Sequence, residues 1–316
     1  MRAMRYHEFG GPELLQVDEV DLPRPGEGEV LLKVASSSVN PADWKLGEGN
    51  GRGVIDVPMP FTPGIDFSGV VLELGKNVSS TAVGDRVYDM TTLNQCGAYA
   101  EVLAIPSTRL TKAPTSIPLV TAGAVPLAAL TAWNATIPAD QGNVQSGQRV
   151  LIHGGAGGTG SFAVQLACWR KAHVIATASR SNQDFLCSIG AHQTIDYQQT
   201  PFEEAVRDID VVIDLVGGDV PKRSLTVLRP GGVLVTIATP KFAQLQAVAG
   251  RQQVHATMPT VTTEGDVSLD QVGRLIDSGT LQVMISNTFP LVDAGKGLAH
   301  NRGGHAQGKS LVTVSG

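Results

Sequence analysis

Residues 150 to 180 restrict the fold of this chain more than any other stretch. A short apolar run, Val150-Leu151-Ile152-His153, breaks into Gly154-Gly155-Ala156-Gly157-Gly158-Thr159-Gly160. The glycines lead into Ser161-Phe162-Ala163-Val164-Gln165-Leu166-Ala167-Cys168, apolar at helical spacing. A second strand-like run, His173-Val174-Ile175-Ala176-Thr177-Ala178, follows. Strand, glycine turn, helix and strand make the βαβ unit that holds a dinucleotide, and Gly155, Gly157 and Gly160 fill G-x-G-x-x-G. The first glycine permits the turn and the second lets backbone amides approach a pyrophosphate. The third lets helix and strand pack closely. An anion at that point meets the positive end of the helix. Gly155, Ala156, Gly157, Gly158, Thr159 and Gly160 are therefore candidate phosphate-binding residues.

The end of the second strand speaks to which dinucleotide. NAD sites place Asp or Glu there, about 20 residues on, against the ribose 2′-hydroxyl. Here the strand runs out as Ala178-Ser179-Arg180-Ser181, without a carboxylate. A hydroxyl at Ser179 beside the Arg180 guanidinium suits a 2′-phosphate, through charge-assisted and bidentate bonds. NADPH is the expected cofactor. The competing reading of Arg180 is a solvated surface charge.

A chain of 316 residues is long enough for two domains. Residues 1 to about 120 read as many short valine-rich strands between Gly, Pro and Asn clusters, the pattern of a small barrel or folded sheet. The runs are Leu14 to Val20, Glu29 to Ser38, Ser68 to Leu74, Asp85 to Tyr88 and Ala98 to Ile105. Leu119 to Ala135 reads as one or two linking helices. From Gln148 helices alternate with wholly apolar strands, which means a parallel sheet covered on both faces. In that region Asn182 to Ile189, Phe202 to Val206 and Pro221 to Leu228 read as helices. Thr194 to Tyr197, Asp210 to Val216 and Gly232 to Ala238 read as strands. Leu269 to Ile276 reads as a helix, and a closing strand, Lys309 to Val314, returns to the first domain.

The expected fold class is α/β, a β-rich domain over 1–120 and a doubly wound domain over 121–263, with 264–316 returning to the first. With 24 basic and 29 acidic residues and no basic block, nucleic acid is not an expected partner. Three scattered cysteines make neither a disulfide framework nor a metal cluster and fit a reducing cytosol. No apolar run suits a signal peptide or a membrane span. A cytoplasmic location is expected.

Several short motifs, taken in order, resemble the medium-chain dehydrogenase/reductase superfamily in its zinc-independent, quinone oxidoreductase-like branch. They are Gly10-Gly11-Pro12-Glu13, Val39-Asn40-Pro41-Ala42-Asp43-Trp44-Lys45, Pro63-Gly64-Ile65-Asp66-Phe67-Ser68-Gly69 and Val83-Gly84-Asp85-Arg86-Val87-Tyr88. Gly97-Ala98-Tyr99-Ala100-Glu101, the glycine loop and Gly304-His305-Ala306-Gln307-Gly308-Lys309 complete the set. The resemblance implies a GroES-like catalytic domain, a Rossmann domain and a homodimer. Zinc-dependent relatives carry a Cys ligand where this chain has Asn40, and Gly-His-Glu where it has Gly64-Ile65-Asp66. A catalytic zinc needs about three converging N, S or O ligands, and Ile65 supplies none. No metal is expected, which disfavours a zinc-type alcohol dehydrogenase.

Without a Lewis acid, a conjugated acceptor is the easier substrate, because hydride added to an enone or quinone leaves a delocalised anion. The protein then needs near-attack positioning and donors toward that anion. Asn40, toward the substrate carbonyl or the nicotinamide ribose, and Lys45 are the candidate donors, and Tyr88 is the candidate to close the pocket. Each has a second reading: a side chain bonded to its own turn before Pro41, a surface charge, and a core aromatic. Asp66 is expected to brace the fold or pair with a cation. From the resemblance, Thr131 faces the nicotinamide, and Tyr197, Val216, Ile237 and Lys309 line the cofactor groove. The expected activity is NADPH-dependent reduction of small quinones or α,β-unsaturated carbonyls. The alternative is an NADPH-binding sensor or structural protein of the same fold. The segment Ala256 to Thr263, where relatives often present an aromatic, is expected to shape the substrate pocket.

Overall fold

The computed structural model describes the chain except for residues 51, 54, 238, 240, 260, 262–267, 305 and 315–316. Ala238, His305 and most of the end of the 256–263 segment thus lie outside the described residues. The chain forms two units. Unit 1 comprises Met1–Leu127, Thr262–Gly279 and Val283–Gly316, and unit 2 comprises Ala128–Val261 and Thr280–Gln282.

In chain order, unit 1 begins with β1 (Arg2–Arg5), β2 (Gln16–Glu19), β3 (Glu29–Ser38), α1 (Pro41–Gly47), β4 (Asp66–Leu74), β5 (Arg86–Met90), β6 (Val102–Pro106), β7 (Thr111–Lys112) and α2 (Leu119–Ala122). Helix α3 (Pro126–Thr136) leads into unit 2. There follow β8 (Arg149–His153), α4 (Gly158–Trp169), β9 (His173–Ala178), α5 (Gln183–Ser188), β10 (Gln193–Asp196), α6 (Phe202–Ala205), β11 (Ile209–Asp214), α7 (Val220–Ser224), β12 (Leu228–Thr236), α8 (Phe242–Arg251) and β13 (His255–Thr257). The return to unit 1 brings α9 (Ser268–Asp277), β14 (Ile285–Pro290), α10 (Ala294–Arg302) and β15 (Lys309–Thr313).

Unit 1 is built on a sheet of order β14-β15-β3-β4-β5-β7, with β6 also pairing β3. Strand β3 is its spine: ten residues, buried at Val30, Leu32 and Val34, hydrogen-bonded to β4, β6 and β15. The closing strand β15 runs antiparallel to β3, with Leu311 opposite Ser38 and Val312 opposite Ser37. That register carries Lys309 past the end of β3 to Asn40. Helix α1 occupies what reads in the sequence as a loop. Pro41 suits the first helical position, where its missing N–H costs nothing, and Asp43 Oδ2 accepts the Asn40 N–H at 2.8 Å. Asn-Pro, a turn signal in isolation, is here a helix start.

Unit 2 is a parallel sheet of order β10-β9-β8-β11-β12-β13. Counted from β8, this is the doubly wound order 3-2-1-4-5-6. Leu151, Ile175, Val212 and Leu234 come from four neighbouring strands. With Phe202, Leu225 and Leu245 they form one buried core. Phe162, Ala163 and Leu166 of α4 are likewise fully buried. Helix α7 is shorter than its sequence suggests, because the Val227 carbonyl accepts the Ile209 N–H and Leu228 already belongs to β12. No helix among the described residues is long and apolar enough to cross a membrane.

Candidate active site

In unit 2 the sequence-predicted residues gather at the carboxyl ends of the parallel strands. The ladders pair Asp196 with Ala178, Thr177 with His153, His153 with Asp214, and Asp214 with Thr236. The residues just beyond these ends are Tyr197, Ser179, Gly154, Leu215 and Ile237. They share one edge, and the strand order reverses between β8 and β11. Open α/β sheets bind ligands at that place.

The three motif glycines differ in what confines them. A Cβ on Gly155 would lie 3.0 Å from Ala176 Cβ and from Leu186 Cδ2. One on Gly160 would lie 2.1 Å from the Gly154 carbonyl oxygen, backbone against backbone. Gly157 meets nothing nearer than the Gly154 oxygen at 3.4 Å, and its φ of −73° and ψ of 177° suit any residue. Protein packing therefore demands glycine at 160, admits a methyl at 155 only if Ala176 and Leu186 give way by a few tenths of an ångström, and does not oppose one at 157. Helix α4 starts at Gly158, and its geometry leaves the N–H groups of Gly158, Thr159 and Gly160 without intrahelical acceptors. The loop fits a pyrophosphate: a cradle that a Cβ at Gly157 would fill, lined by unclaimed donors.

Around it, Ser179 Oγ lies 3.2 Å from Ser181 Oγ and accepts from Asn182 Nδ2 at 3.2 Å. Arg180 is exposed at the start of a short turn. Tyr197 and Val216 are 56% and 55% exposed, large apolar surfaces at the strand ends. Ile237 is half-buried, its N–H on the Asp214 carbonyl at 3.2 Å. Thr131 is buried in α3. Sequence reasoning missed Asp214, which shapes this edge. Its carboxylate accepts from the Val216 and Gly217 N–H groups at 3.1 Å and from Thr236 Oγ1 at 2.7 Å. His153 is packed: Nδ1 lies 3.1 Å from Thr177 Oγ1 and Nε2 3.1 Å from Ser224 Oγ. Burial, aided by the Arg223 charge, holds its pKa down to about 4.

Unit 1 contributes a buried polar cluster. Asn40 Nδ2 donates to Asp66 Oδ2 at 2.9 Å, and Asn40 Oδ1 accepts from Lys309 Nζ at 2.6 Å. Lys309 Nζ also donates to the Val39 carbonyl at 3.1 Å and lies 3.6 Å from Asp66 Oδ2. Ser38 Oγ donates to Asp66 Oδ2, and the Leu127 N–H donates to Oδ1 at 2.8 Å. Asp66 thus braces the fold and pairs with a cation at once. The Asn40 side chain reaches across to residues that open two strands, Asp66 of β4 and Lys309 of β15. Asp43 receives the N–H groups of Asn40 and Gly64. Burial raises it to about 7, against the pull of the Asn40 N–H, with the Asp66 charge pushing the same way as burial. Gly64 is held there at φ +99°, where a Cβ would collide with the Tyr99 backbone nitrogen at 2.6 Å. Burial lowers the Lys309 pKa, and the charges of Asp66 and Asp43 oppose that shift.

Lys309, expected beside the cofactor, is 4% exposed and is engaged by Val39, Asn40 and Asp66. Tyr88 is wholly buried with its hydroxyl donating to the Leu269 carbonyl at 2.8 Å. It is a core aromatic that docks α9, where a Cβ on Gly273 would crowd its hydroxyl at 3.0 Å. Lys45 is exposed, its ammonium 5.5 Å from the Trp44 ring centroid.

A doubly wound sheet with a glycine loop at its switch point, and a β-rich unit carrying an amide–carboxylate–ammonium cluster, define a two-unit dinucleotide-dependent oxidoreductase. Residues 26–115 match the alcohol dehydrogenase GroES-like domain, and residues 189–312 match the zinc-binding dehydrogenase family. The chain is 32% identical to the quinone oxidoreductase of Coxiella burnetii. Their structures superpose with a TM-score of 0.93 over 100% of this chain and 99% of that one. The Escherichia coli quinone oxidoreductase complexed with NADPH gives 25% identity and a TM-score of 0.90, covering 99% and 100% of the two chains. The NADPH-dependent alkenal/one oxidoreductase of Arabidopsis thaliana chloroplasts is 30% identical, covering 99% of this chain and 79% of its own. The chain belongs to the medium-chain dehydrogenase/reductase superfamily, in its quinone oxidoreductase-like branch.

The donors present do not fit the zinc of the matched dehydrogenase family. Ile65 is a buried aliphatic, Asn40 offers an amide already held at both ends, and the Lys309 ammonium stands where it would repel a cation. Cys96 Sγ donates to the Leu93 carbonyl, and burial pushes its thiol far up, away from the thiolate a metal needs. Among the described residues no three His, Cys, Asp or Glu side chains converge to hold a metal.

Proposed function

We propose that the chain is an NADPH-dependent, zinc-independent reductase of quinones or of the C=C bond of α,β-unsaturated carbonyls. The observation that carries the reading is the glycine cradle at the strand-order reversal with Ser179-Arg180, and no carboxylate, at the exit of β9. The backbone N–H groups of Gly158 to Gly160 take the pyrophosphate, Gly157 lets it come close, and Gly155 and Ala156 shape the turn. Ser179 and Arg180 take the 2′-phosphate. Tyr197, Val216 and Ile237 offer apolar surface to the adenine and ribose side, and Thr131 meets the nicotinamide. When bound, NADPH supplies the hydride. Asn40 donates an N–H to the carbonyl oxygen that becomes negative, and Lys45 adds a positive charge that solvent screens. The expected partner is a small conjugated acceptor. Three unpaired cysteines support a reducing, cytoplasmic setting, and the family resemblance supports a homodimer.

The test incubates the purified protein with NADPH and a panel of small enones, 2-alkenals and 1,4-quinones, following loss of the nicotinamide absorbance. Turnover is expected, with NADPH preferred over NADH, and Arg180→Ala should abolish the preference. NADPH bound tightly with no oxidation across the panel would leave the sensor reading. No NADPH binding would overturn both.

A further inference from the structure

The Asn40 amide has only one orientation open to it. One end faces Lys309, which has donors and no acceptor, and the other faces Asp66, which as a carboxylate accepts and does not donate. Turning the amide over would oppose oxygen to oxygen and N–H to N–H, so its neighbours fix which end is which. Asn40 is nearly buried and cannot swing away. With Oδ1 on Lys309 and one N–H on Asp66, the second Nδ2 hydrogen is left for another acceptor.

We propose that Lys309 is the internal cation of this site and acts through Asn40: it fixes which end of the amide donates and polarises the amide so that its remaining N–H is a stronger donor. A positive charge on an amide oxygen draws electron density from nitrogen, and hydrogen bonds in series reinforce one another in a low-dielectric interior. The site then stabilises a developing oxyanion with a charge held one amide away, in place of a metal ion that its residues cannot ligate. Lys309 is a positioning residue, supplied by the last strand of the chain to a residue 269 positions earlier in sequence. The inference rests on the reductase reading, in which Asn40 is the donor.

The experiment is a double-mutant cycle on the wild type, Lys309→Met, Asn40→Ala and the pair, each assayed for NADPH oxidation by an enone and for NADPH affinity. Losing an oxyanion donor costs about 10²–10³ in kcat, so Asn40→Ala should lose about 100-fold. Lys309→Met should lose about tenfold in kcat, with NADPH affinity unchanged within about threefold. The double variant should lose no more than Asn40→Ala alone. Losses that multiply would overturn the inference, as would an unimpaired Lys309→Met. A wild type that turns over no acceptor would instead sink the reductase reading. Should Lys309→Met not fold, the wild type labelled with ¹⁵N-asparagine provides the second measurement. The Asn40 side-chain resonance should shift as Lys309, flanked by Asp66 and Asp43, loses its proton below the ordinary lysine range. A resonance that stays still through that titration overturns the proposal.

Discussion

Exchanging Gly157 for Ala separates what the glycine loop does for the fold from what it does for a ligand. Nothing in unit 2 opposes the new methyl group: its nearest neighbour is 3.4 Å away and the backbone is in an extended region open to every residue. Gly157 caps α4, and Ala is the poorer cap by roughly 0.5–1 kcal/mol. Replacing glycine also removes freedom from the unfolded chain, which returns about 0.4–1 kcal/mol. The two effects cancel to within about 0.5 kcal/mol. A pyrophosphate seated on the loop would meet the methyl directly. Losing close approach to two or three N–H groups at about 1 kcal/mol each predicts a Kd for NADPH raised about 30- to 150-fold. Gly160→Ala should behave in the opposite way. Its Cβ would sit 2.1 Å from a backbone oxygen that cannot step aside, so α4 must shift against β8. Overpacking of that kind costs about 1–3 kcal/mol. Thermal unfolding and fluorescence titration with NADPH, run on both variants, read the contrast. A folded Gly157→Ala that binds NADPH as the wild type does would refute the assignment of this loop to the phosphates.

Asp43 gives a pH signature. Burial raises it from 3.8 to about 7, so the folded state keeps a proton that the unfolded chain releases, and the resulting stabilisation is full below about pH 4 and lost as pH rises to about 7. The span is at most about 4 kcal/mol, and Asp89, also raised to about 7 by burial, acts in the same sense. His153, held down to about 4, acts in the opposite sense over that window. Asp43→Asn should therefore remove one proton's share of the slope when urea unfolding is compared at about pH 5 and about pH 8; identical slopes in the two proteins would contradict the buried carboxyl. Tyr88→Phe should remove the hydrogen bond that ties β5 to the Leu269 carbonyl of α9 and cost about 0.5–1.5 kcal/mol in stability with kcat unchanged. A variant of normal stability and tenfold lower kcat would return Tyr88 to the active site.

What the sequence discloses and what it hides follow from the range of each interaction. The βαβ unit from Arg149 to Ala178 is legible because its strand period, glycine turn and helix period are all local. Strand β3 is legible for the same reason, a long apolar run between two turn clusters. Helix α1 is not, since Asn40-Pro41 is a turn in one context and a cap followed by a first helical residue in another, and only Asp43, three residues on, tips the balance. Helices α8 and α10 and strand β14 carry weak patterns. Every second residue of β14 is exposed, and its pairing with β15 is decided by a partner more than twenty residues away.

The cluster in unit 1 lies at the far end of this scale. Lys309 is expected from the resemblance to line the cofactor groove and Asp66 to brace the fold or pair with a cation, but nothing local in the sequence says that the two meet at Asn40. They meet because β15, β3 and β4 are neighbours in the sheet, so that the residues following β3, opening β4 and opening β15 converge on one point. An isolated ammonium or carboxylate would not survive burial there; an ammonium, an amide and a carboxylate in series satisfy one another. Sheet order is thus the step that converts three unremarkable residues into one electrostatic unit. On the proposed role of Lys309, the last strand is part of the chemistry as well as of the fold, and loss of its register with β3 should disarm Asn40 without touching it.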